Sequence, residues 1–409
     1  MSTYFIKAPQ TLGGVITLPT SKSISNRLLI LSALCETGSM PENLSDSDDT
    51  RVMLDALASD MTRVDVGAAG TSMRFLTAFL TTRPGVHEIT GSERMRKRPI
   101  GILVNALQTL GAEIEYADEP GFPPLKITGG KINGGHVTLP GGVSSQYISA
   151  LMMIGPTLRG GLSLTLEGQV VSVPYIKMTL KLMEMFGAEV SHTGGVIAIK
   201  EKPYTYRQTR VEADWSAASY WYAMAALRPG TTFELKGLDE ASSQGDSEVA
   251  QIARPLGVET IYTGDGVTIK SSADHVGEYS YCFVNQPDLA QTFVVLCCLM
   301  GVRFNFTGLQ SLRIKETDRI AALVAETRKL GYVIEVEGDD CLRWDGRRCE
   351  PSHSPIATYK DHRMAMAFAP AALVSGCTAI SEPSVVSKSY PGFWDDLRSA
   401  GFTIDETGK

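Results

Sequence analysis

The sequence predicts an α/β protein of two domains, assembled from one repeated set of strands and helices. Three observations predict it. The tail of an apolar helix, then a glycine, then a short strand recurs five times, at Leu110 and Gly111, Phe186 and Gly187, Leu256 and Gly257, Leu330 and Gly331, and Ala400 and Gly401. These glycines lie about 76, 70, 74 and 70 residues apart, and internal repetition outranks any single motif in deciding a fold. A chain of 409 residues exceeds one ordinary core, so two domains are expected. A hydrophobic content of 43% with 20% charged residues is that of a water-soluble globular chain.

Each repeat opens on an apolar helix with a polar first turn. Six such helices begin at or near Lys22, Gly70, Ser144, Trp215, Asp288 and Asp361. Beyond the first turn they are nearly all apolar, so burial on most sides is expected. The second helices, residues 317–329 and 249–255 among them, are more polar and are expected to face water. The repeat is therefore strand, helix, strand, helix and closing strands, six times over. A (β/α)8 barrel would repeat roughly every 30 residues, and a doubly wound sheet has no period this long.

The first repeat is short. Only 48 residues separate Lys22 from Gly70, against about 73 for the later repeats. Residues 48–58 read as its second helix, and residues 60–66 leave room for little beyond one strand, so a truncated edge is expected there. No low-complexity linker marks a domain boundary. The repeats place it near residues 210–214, with three repeats on each side, and the initial segment 4–18 is free to complete the other domain. The expected domains are thus residues 1–19 plus 213–409, and residues 20–212.

Composition narrows the function. A net charge of −7 argues against a nucleic-acid or anionic-membrane partner. The apolar stretch 293–300 is too short to span a bilayer. The first residues have no apolar leader core, which predicts a cytoplasmic protein. Seven cysteines lack metal-ligand spacing and suit a reducing compartment; Cys297 and Cys298 read as buried small hydrophobes. There is no GxxxxGK[ST], no GxGxxG and no GxSxG. His87, His136, His192, His275, His353 and His362 show no paired spacing. The acidic run from Asp46 to Asp49 reads as capping of the helix over 50–58 rather than as a metal site. No nucleotide, metal, covalent nucleophile or cofactor is implied.

Chemistry collects at the starts of the first helices, where free N–H groups and the helix dipole favour anions. Lys22, Ser23 and Arg27 open the first; Gly70 and Arg74 the second; Ser144, Ser145 and Gln146 the third; Asp288 the fifth; Asp361, His362 and Arg363 the sixth. Further cations lie on loops: Arg94, Arg96, Lys97 and Arg98, then Arg313, Lys315 and Arg319 around Glu316, and Lys388. Helix starts and cations converging on one cleft would suit a substrate with several negative charges, despite the acidic total.

At these motifs the chain resembles the 5-enolpyruvylshikimate-3-phosphate synthase family. Seven segments carry the resemblance in order: 18–27, 67–74, 94–100, 144–146, 171–175, 313–319 and 361–366. It covers essentially the whole chain. The resemblance implies a two-domain inside-out α/β barrel, each domain built from three βαβαββ repeats, with the active site in the cleft between them. It implies transfer of the enolpyruvyl group of phosphoenolpyruvate to the 5-hydroxyl of shikimate 3-phosphate, by a monomer with no cofactor. Ser23, Arg27, Ser144, Ser145, Gln146, Ser172, Tyr175, Asp288 and Lys315, with Lys22, would hold shikimate 3-phosphate. Lys22, Gly70, Arg98, Gln146, Arg319, Arg363 and Lys388 would hold phosphoenolpyruvate. The two substrates bring roughly −6 in total charge with both phosphates fully ionised, which Lys and Arg match as point charges and bidentate forks. Addition and elimination need positioned acid–base groups. Asp288 is expected to handle the attacking hydroxyl, and Glu316 with Lys22 the methylene carbon. His362 is expected as an orienting residue beside Asp361.

Two alternatives stand beside this reading. The sister enzyme acting on UDP-N-acetylglucosamine typically places a cysteine in a mobile loop, but residues 91–98 here are basic and contain none. A non-catalytic anion-binding relative is disfavoured by Lys22, Asp288, Glu316 and Lys388 together. The chain also departs from its relatives. Ala68 stands where many carry asparagine, which predicts weaker inhibition by the herbicide glyphosate. Phe75 stands where proline is common, and its bulkier ring is expected to adjust the helix carrying Gly70.

Overall fold

Each of the five repeated glycines ends a helix in the left-handed region: φ is 90° at Gly111, 86° at Gly187, 85° at Gly257, 90° at Gly331 and 98° at Gly401. The same pair of hydrogen bonds follows every time. The glycine N–H donates to the carbonyl three residues back, as from Gly111 to Gln108 at 2.9 Å. The next residue's N–H donates to the carbonyl five residues back, as from Ala112 to Leu107 and Phe402 to Leu397. Two orphan carbonyls are thereby satisfied, and the chain is turned into a strand. A side chain at these φ values would be strained, which is why glycine recurs.

The computed structural model describes residues 2–37, 39–352 and 354–407; His353 lies outside the described residues, as do the terminal residues 1, 408 and 409 of the expected first domain. The chain divides into two compact units: one discontinuous, Met1–Pro19 with Glu212–Lys409, and one continuous, Thr20–Val211.

One sheet pattern serves both units. In the discontinuous unit, Gly14–Thr17 runs parallel to Thr232–Lys236, which pairs antiparallel with Gly266–Ser271, itself antiparallel to Val258–Thr263. Glu278–Cys282, Arg303–Thr307, Cys341–Trp344 and Glu335–Glu337 repeat that arrangement. In the third sheet, Thr3–Lys7 lies antiparallel between Cys377–Ser381 and Thr403–Thr407. A parallel bridge from Ile356 to Ile380 stands in for the missing outer strand. The N-terminal strand thus completes a repeat whose other parts lie some 370 residues downstream.

The continuous unit has two such sheets: Arg63–Asp65, Gly85–Thr90, Leu125–Gly129 and Glu113–Tyr116 in one, Gly135–Pro140, Leu162–Glu167, Val196–Ile199 and Val190–Thr193 in the other. The first repeat is truncated further than a single strand. Its helices Lys22–Leu34 and Asp48–Ala58 are present, but Arg63–Asp65 pairs into the next repeat's sheet. Glu42 and Arg210 form the one bridge on that side among the described residues.

Strands alternate buried and exposed positions, as in Thr232–Lys236 and Arg303–Thr307, so each sheet has one wet face. The first helices lie on the dry side. Gly70–Thr81 is buried along its whole length, and Trp215–Leu227 exposes little. Helices form the centre and sheets the outside of each unit. Both second helices named above depart from expectation: Val249, Ala250 and Ile252 are buried, and Arg319–Lys329 is half-buried because Arg319 and Glu326 both turn inward. Cys297 and Cys298 are buried, and burial raises both thiols above their ordinary pKa. No helix among the described residues is long and apolar enough to cross a membrane.

Candidate active site

In the discontinuous unit the candidates gather around Arg319. Asp318 caps the helix Arg319–Lys329 by accepting the Ala321 N–H, and Arg319, its first residue, is 1% exposed. The guanidinium meets three carboxylates. Nε lies 2.7 Å from Asp361 Oδ2, Nη1 3.2 Å from Asp288 Oδ1 and Nη2 3.0 Å from Glu316 Oε2. Burial alone would lower the arginine pKa; the charges of Asp361, Glu316 and Asp288 outweigh it and hold the group above its ordinary value.

Each of those carboxylates has a further duty. Asp361 caps the helix His362–Phe368, accepting the Arg363 N–H at 2.9 Å, and its Oδ1 lies 3.5 Å from His362 Nδ1. Asp288 sits just before the helix Ala290–Met300. Arg363 Nη2 approaches its Oδ2 at 3.0 Å, and Lys315 Nζ its Oδ1 at 3.8 Å. Arg363 also donates to the Asp288 carbonyl and to the Tyr220 hydroxyl. Glu316 accepts from Lys388 at 2.9 Å on its other oxygen. Asp288, Lys315, Glu316, Arg319, Arg363 and Lys388 thus form one network, with His362 beside it.

Asp246 adjoins the network and was not singled out in the sequence. The Ser216 hydroxyl donates to it. Burial, then the charge of Asp288, pushes its carboxyl up to about 7, while Arg363 and Ser216 act in the opposite direction. Nothing local in the sequence marks it; its setting arises from tertiary packing.

In the continuous unit the candidates gather at four helix starts. Lys22 is the first residue of its helix, and its Nζ lies 3.2 Å from Asp49 Oδ2. The acidic run does not cap a helix over 50–58 as expected: the helix starts at Asp48, and its N-cap, Ser47, makes no side-chain cap bond. Asp48 and Asp49 occupy the first turn of Asp48–Ala58, as an acidic helix start should, and Asp49 also holds Lys22. Arg27 is buried. Its Nη1 donates to the Ser23 carbonyl, its Nε to Thr179 Oγ1 at 2.7 Å and its Nη2 to Ser149 Oγ at 3.3 Å. The Tyr175 ring lies 5.8 Å from the guanidinium carbon.

Gly70 opens a helix whose N-cap, Ala69, makes no side-chain cap bond. A Cβ on Gly70 would lie 2.5 Å from Arg98 Nη1, so a side chain there would push that guanidinium away from the helix start. Gln146 ties the third helix to the second by donating to Thr71 Oγ1 at 3.1 Å. Ser144 caps its own helix by accepting the Gln146 N–H. Ser145 is buried at the same start. Ser172 is left-handed (φ 54°) and buried where the helix Val173–Met185 begins. Among the described residues, no carboxylate pairs with Arg27 or Arg98.

The whole chain carries relatives' sequence marks. The family described as EPSP synthase (3-phosphoshikimate 1-carboxyvinyltransferase) matches residues 6–61 and 57–397. A 3-phosphoshikimate 1-carboxyvinyltransferase of Bacteroides fragilis is 56% identical over 403 residues, covering 98% of each chain. One from a Sulfurovum species is 36% identical over 428 residues, covering 98% of this chain and 99% of its own. In three dimensions, the EPSP synthase of Acinetobacter baumannii superposes with a TM-score of 0.80 at 23% identity, covering both chains fully. The repeats, the ordered motifs and the full-length match agree: the chain belongs to the EPSP synthase family.

Proposed function

We infer that this chain is a 3-phosphoshikimate 1-carboxyvinyltransferase: it moves the enolpyruvyl group of phosphoenolpyruvate onto the 5-hydroxyl of shikimate 3-phosphate and releases phosphate, a step of aromatic amino-acid biosynthesis. The observation that carries the site assignment is the Arg319 network. It places two carboxylates, Asp288 and Glu316, among four cations in one unit. That is an acid–base set already surrounded by anion ligands.

The addition forms a bond from the 5-hydroxyl oxygen to the substituted alkene carbon. The hydroxyl loses its proton, and the methylene carbon gains one. Elimination then breaks the bond to the phosphate oxygen, and a methyl proton leaves to restore the double bond. Asp288 takes the hydroxyl proton. Its carboxylate is aimed by the Arg363 and Arg319 forks, leaving Lys315 beside it for the sugar-side substrate. Glu316, gripped by Lys388 and Arg319, serves the methylene carbon with Lys22. An incoming phosphate and carboxylate would compete for those same cations, freeing a Glu316 oxygen as phosphoenolpyruvate arrives.

Arg27, with Ser23, Ser144, Ser145, Gln146, Ser172 and Tyr175, binds shikimate 3-phosphate, while Gly70 and Arg98 at an uncapped helix start receive phosphoenolpyruvate. His362 orients Asp361. The protein works in the cytoplasm as a monomer on two small molecules.

Phosphate release tests the reading. Release is expected only when both substrates are present. Release with UDP-N-acetylglucosamine in place of shikimate 3-phosphate would transfer the chain to the sister activity, and no release with either acceptor would leave an anion-binding relative.

A further inference from the structure

Arg27 is a buried cation in an unusual setting. Among the described residues no carboxylate pairs with it, although it is 2% exposed. What surrounds it is neutral. Its carbon lies 5.3 Å from the centre of the Phe75 ring and 5.8 Å from that of Tyr175. Thr179 and Ser149 take two of its N–H groups, and their hydroxyls lie 2.9 Å apart, so each is fixed by the other. Thr179 also donates to the Tyr175 carbonyl at 2.8 Å. Burial lowers the guanidinium to about 10, which leaves it cationic at neutral pH. A ring face and a hydroxyl both stabilise a cation without cancelling its charge. A carboxylate in their place would cancel it.

The geometry points to Phe75 as a positioning residue for shikimate 3-phosphate: its ring, with Ser149 and Thr179, holds the Arg27 fork in place while leaving the charge uncompensated for the substrate anion. This rests on the reading that Arg27 binds that substrate. It also gives a role to the departure at position 75. The ring is 1% exposed and Phe75 is itself a residue of the Gly70–Thr81 helix, so Arg27 packs against the middle of that helix. Proline at this position would offer no aromatic face, so a relative carrying it must hold the arginine otherwise.

Phe75→Leu keeps apolar bulk and removes the ring face. Titration of shikimate 3-phosphate into the full-length enzyme should show a Kd raised about 3- to 30-fold, the range of a desolvated cation–π contact. KM for shikimate 3-phosphate should rise with it, while KM for phosphoenolpyruvate and kcat stay within about twofold, since the buried ring lies five residues beyond the helix start at Gly70. Phe75→Tyr, which keeps the face, should bind close to wild type. Phe75→Met serves as the second ring-less variant should the leucine chain not fold. The inference is overturned if ring-less variants bind normally while Arg27→Gln binds weakly. It is equally overturned if they weaken both substrates alike, or if Phe75→Tyr behaves as they do. Normal binding by Arg27→Gln would instead overturn the reading beneath it, and this inference with it.

Discussion

The two units are built from the same repeat yet handle charge in opposite ways. In the discontinuous unit, Asp214 and Asp361 cap first helices, and Arg319 touches three carboxylates. In the continuous unit, Ser21 and Ser144 cap with hydroxyls, Ala69 provides no side-chain cap bond, and Arg27 has no carboxylate. A carboxylate cap cancels the partial positive charge of a helix start, whereas a hydroxyl satisfies the donors and leaves that charge available. The difference teaches how one scaffold divides labour. Proton transfer needs carboxylates that are held and aimed, so the discontinuous unit surrounds its acids with cations. Anion capture needs cations that are not yet neutralised; in the continuous unit Arg27 is held by rings, hydroxyls and backbone, whereas Lys22 is paired with Asp49.

The sharpest way to break that comparison is to remove one buried arginine from each unit. Arg319→Met leaves Asp361, Asp288 and Glu316 facing one another, and should cost about 3–5 kcal/mol of stability, as breaking a buried ion network does. Arg27→Met strands no carboxylate. Its stability should stay within about 1 kcal/mol of wild type, because the lost hydrogen bonds are offset by the relieved desolvation of a buried charge. Urea unfolding of both variants checks the contrast. Equal losses would mean that the two arginines are compensated alike.

Asp288 comes next. Asp288→Ala should lower kcat by about 10²–10⁴, the contribution of a positioned general base, with little change in KM for phosphoenolpyruvate. Steady-state phosphate release measures it. Near-normal turnover would remove Asp288 from proton transfer and leave it as a brace for Arg363.

How far these features were legible in the sequence follows from their range. The glycine turns were readable because a left-handed helix end is a local demand, met by a glycine and two backbone bonds within six residues. The missing sheet of the first repeat was readable in part. The short spacing between Lys22 and Gly70 announced it, but not that Arg63–Asp65 would be lent to the neighbouring sheet. The cations were visible because the ordered motifs marked them, whereas their partners were not. Asp49 was hidden by its own second duty at a helix start. Asp361 was visible as a helix opener but not as the holder of an arginine 42 residues away. Thr179 and Ser149 look like ordinary helix residues until Arg27 is placed between them. Partner choice across more than 100 residues is a tertiary property, and no local pattern encodes it.

A smaller effect separates the units by pH. Asp246 is held near 7 in the folded chain, above its ordinary 3.8, first by burial and then by Asp288. Between about 4 and 7 the unfolded chain has lost this proton and the folded chain retains it. Rising pH therefore weakens folding through that window, on the order of 4 kcal/mol in total. Asp246→Asn should remove that slope and be more stable than wild type at pH 8, while equal at pH 3.5. Urea unfolding at several pH values checks it. No comparable slope should follow from Arg27→Met, whose group does not titrate in that range.

The smallest expected effect tests whether the uncapped helix start in the continuous unit is an anion slot at all. Ala68 is exposed, two residues before Gly70, on a turn whose flanking Gly67 accepts the Ser92 N–H. An asparagine there has room for its amide and could add one donor to an anion at the helix start. Glyphosate, the competitor of phosphoenolpyruvate in this family, should therefore inhibit the native chain weakly. Ala68→Asn should tighten it about fivefold, the worth of one net hydrogen bond, and lower KM for phosphoenolpyruvate in the same direction. KM for shikimate 3-phosphate should not move, because Arg27 lies on another helix and Phe75, its contact on this one, is five residues beyond the helix start at Gly70. A low-micromolar inhibition constant for the native chain would show that the backbone and Arg98 suffice without the amide. A shift in both KM values would show that the two anion sites of this unit are coupled, so that its uncompensated cations act as one field rather than as two separate sites.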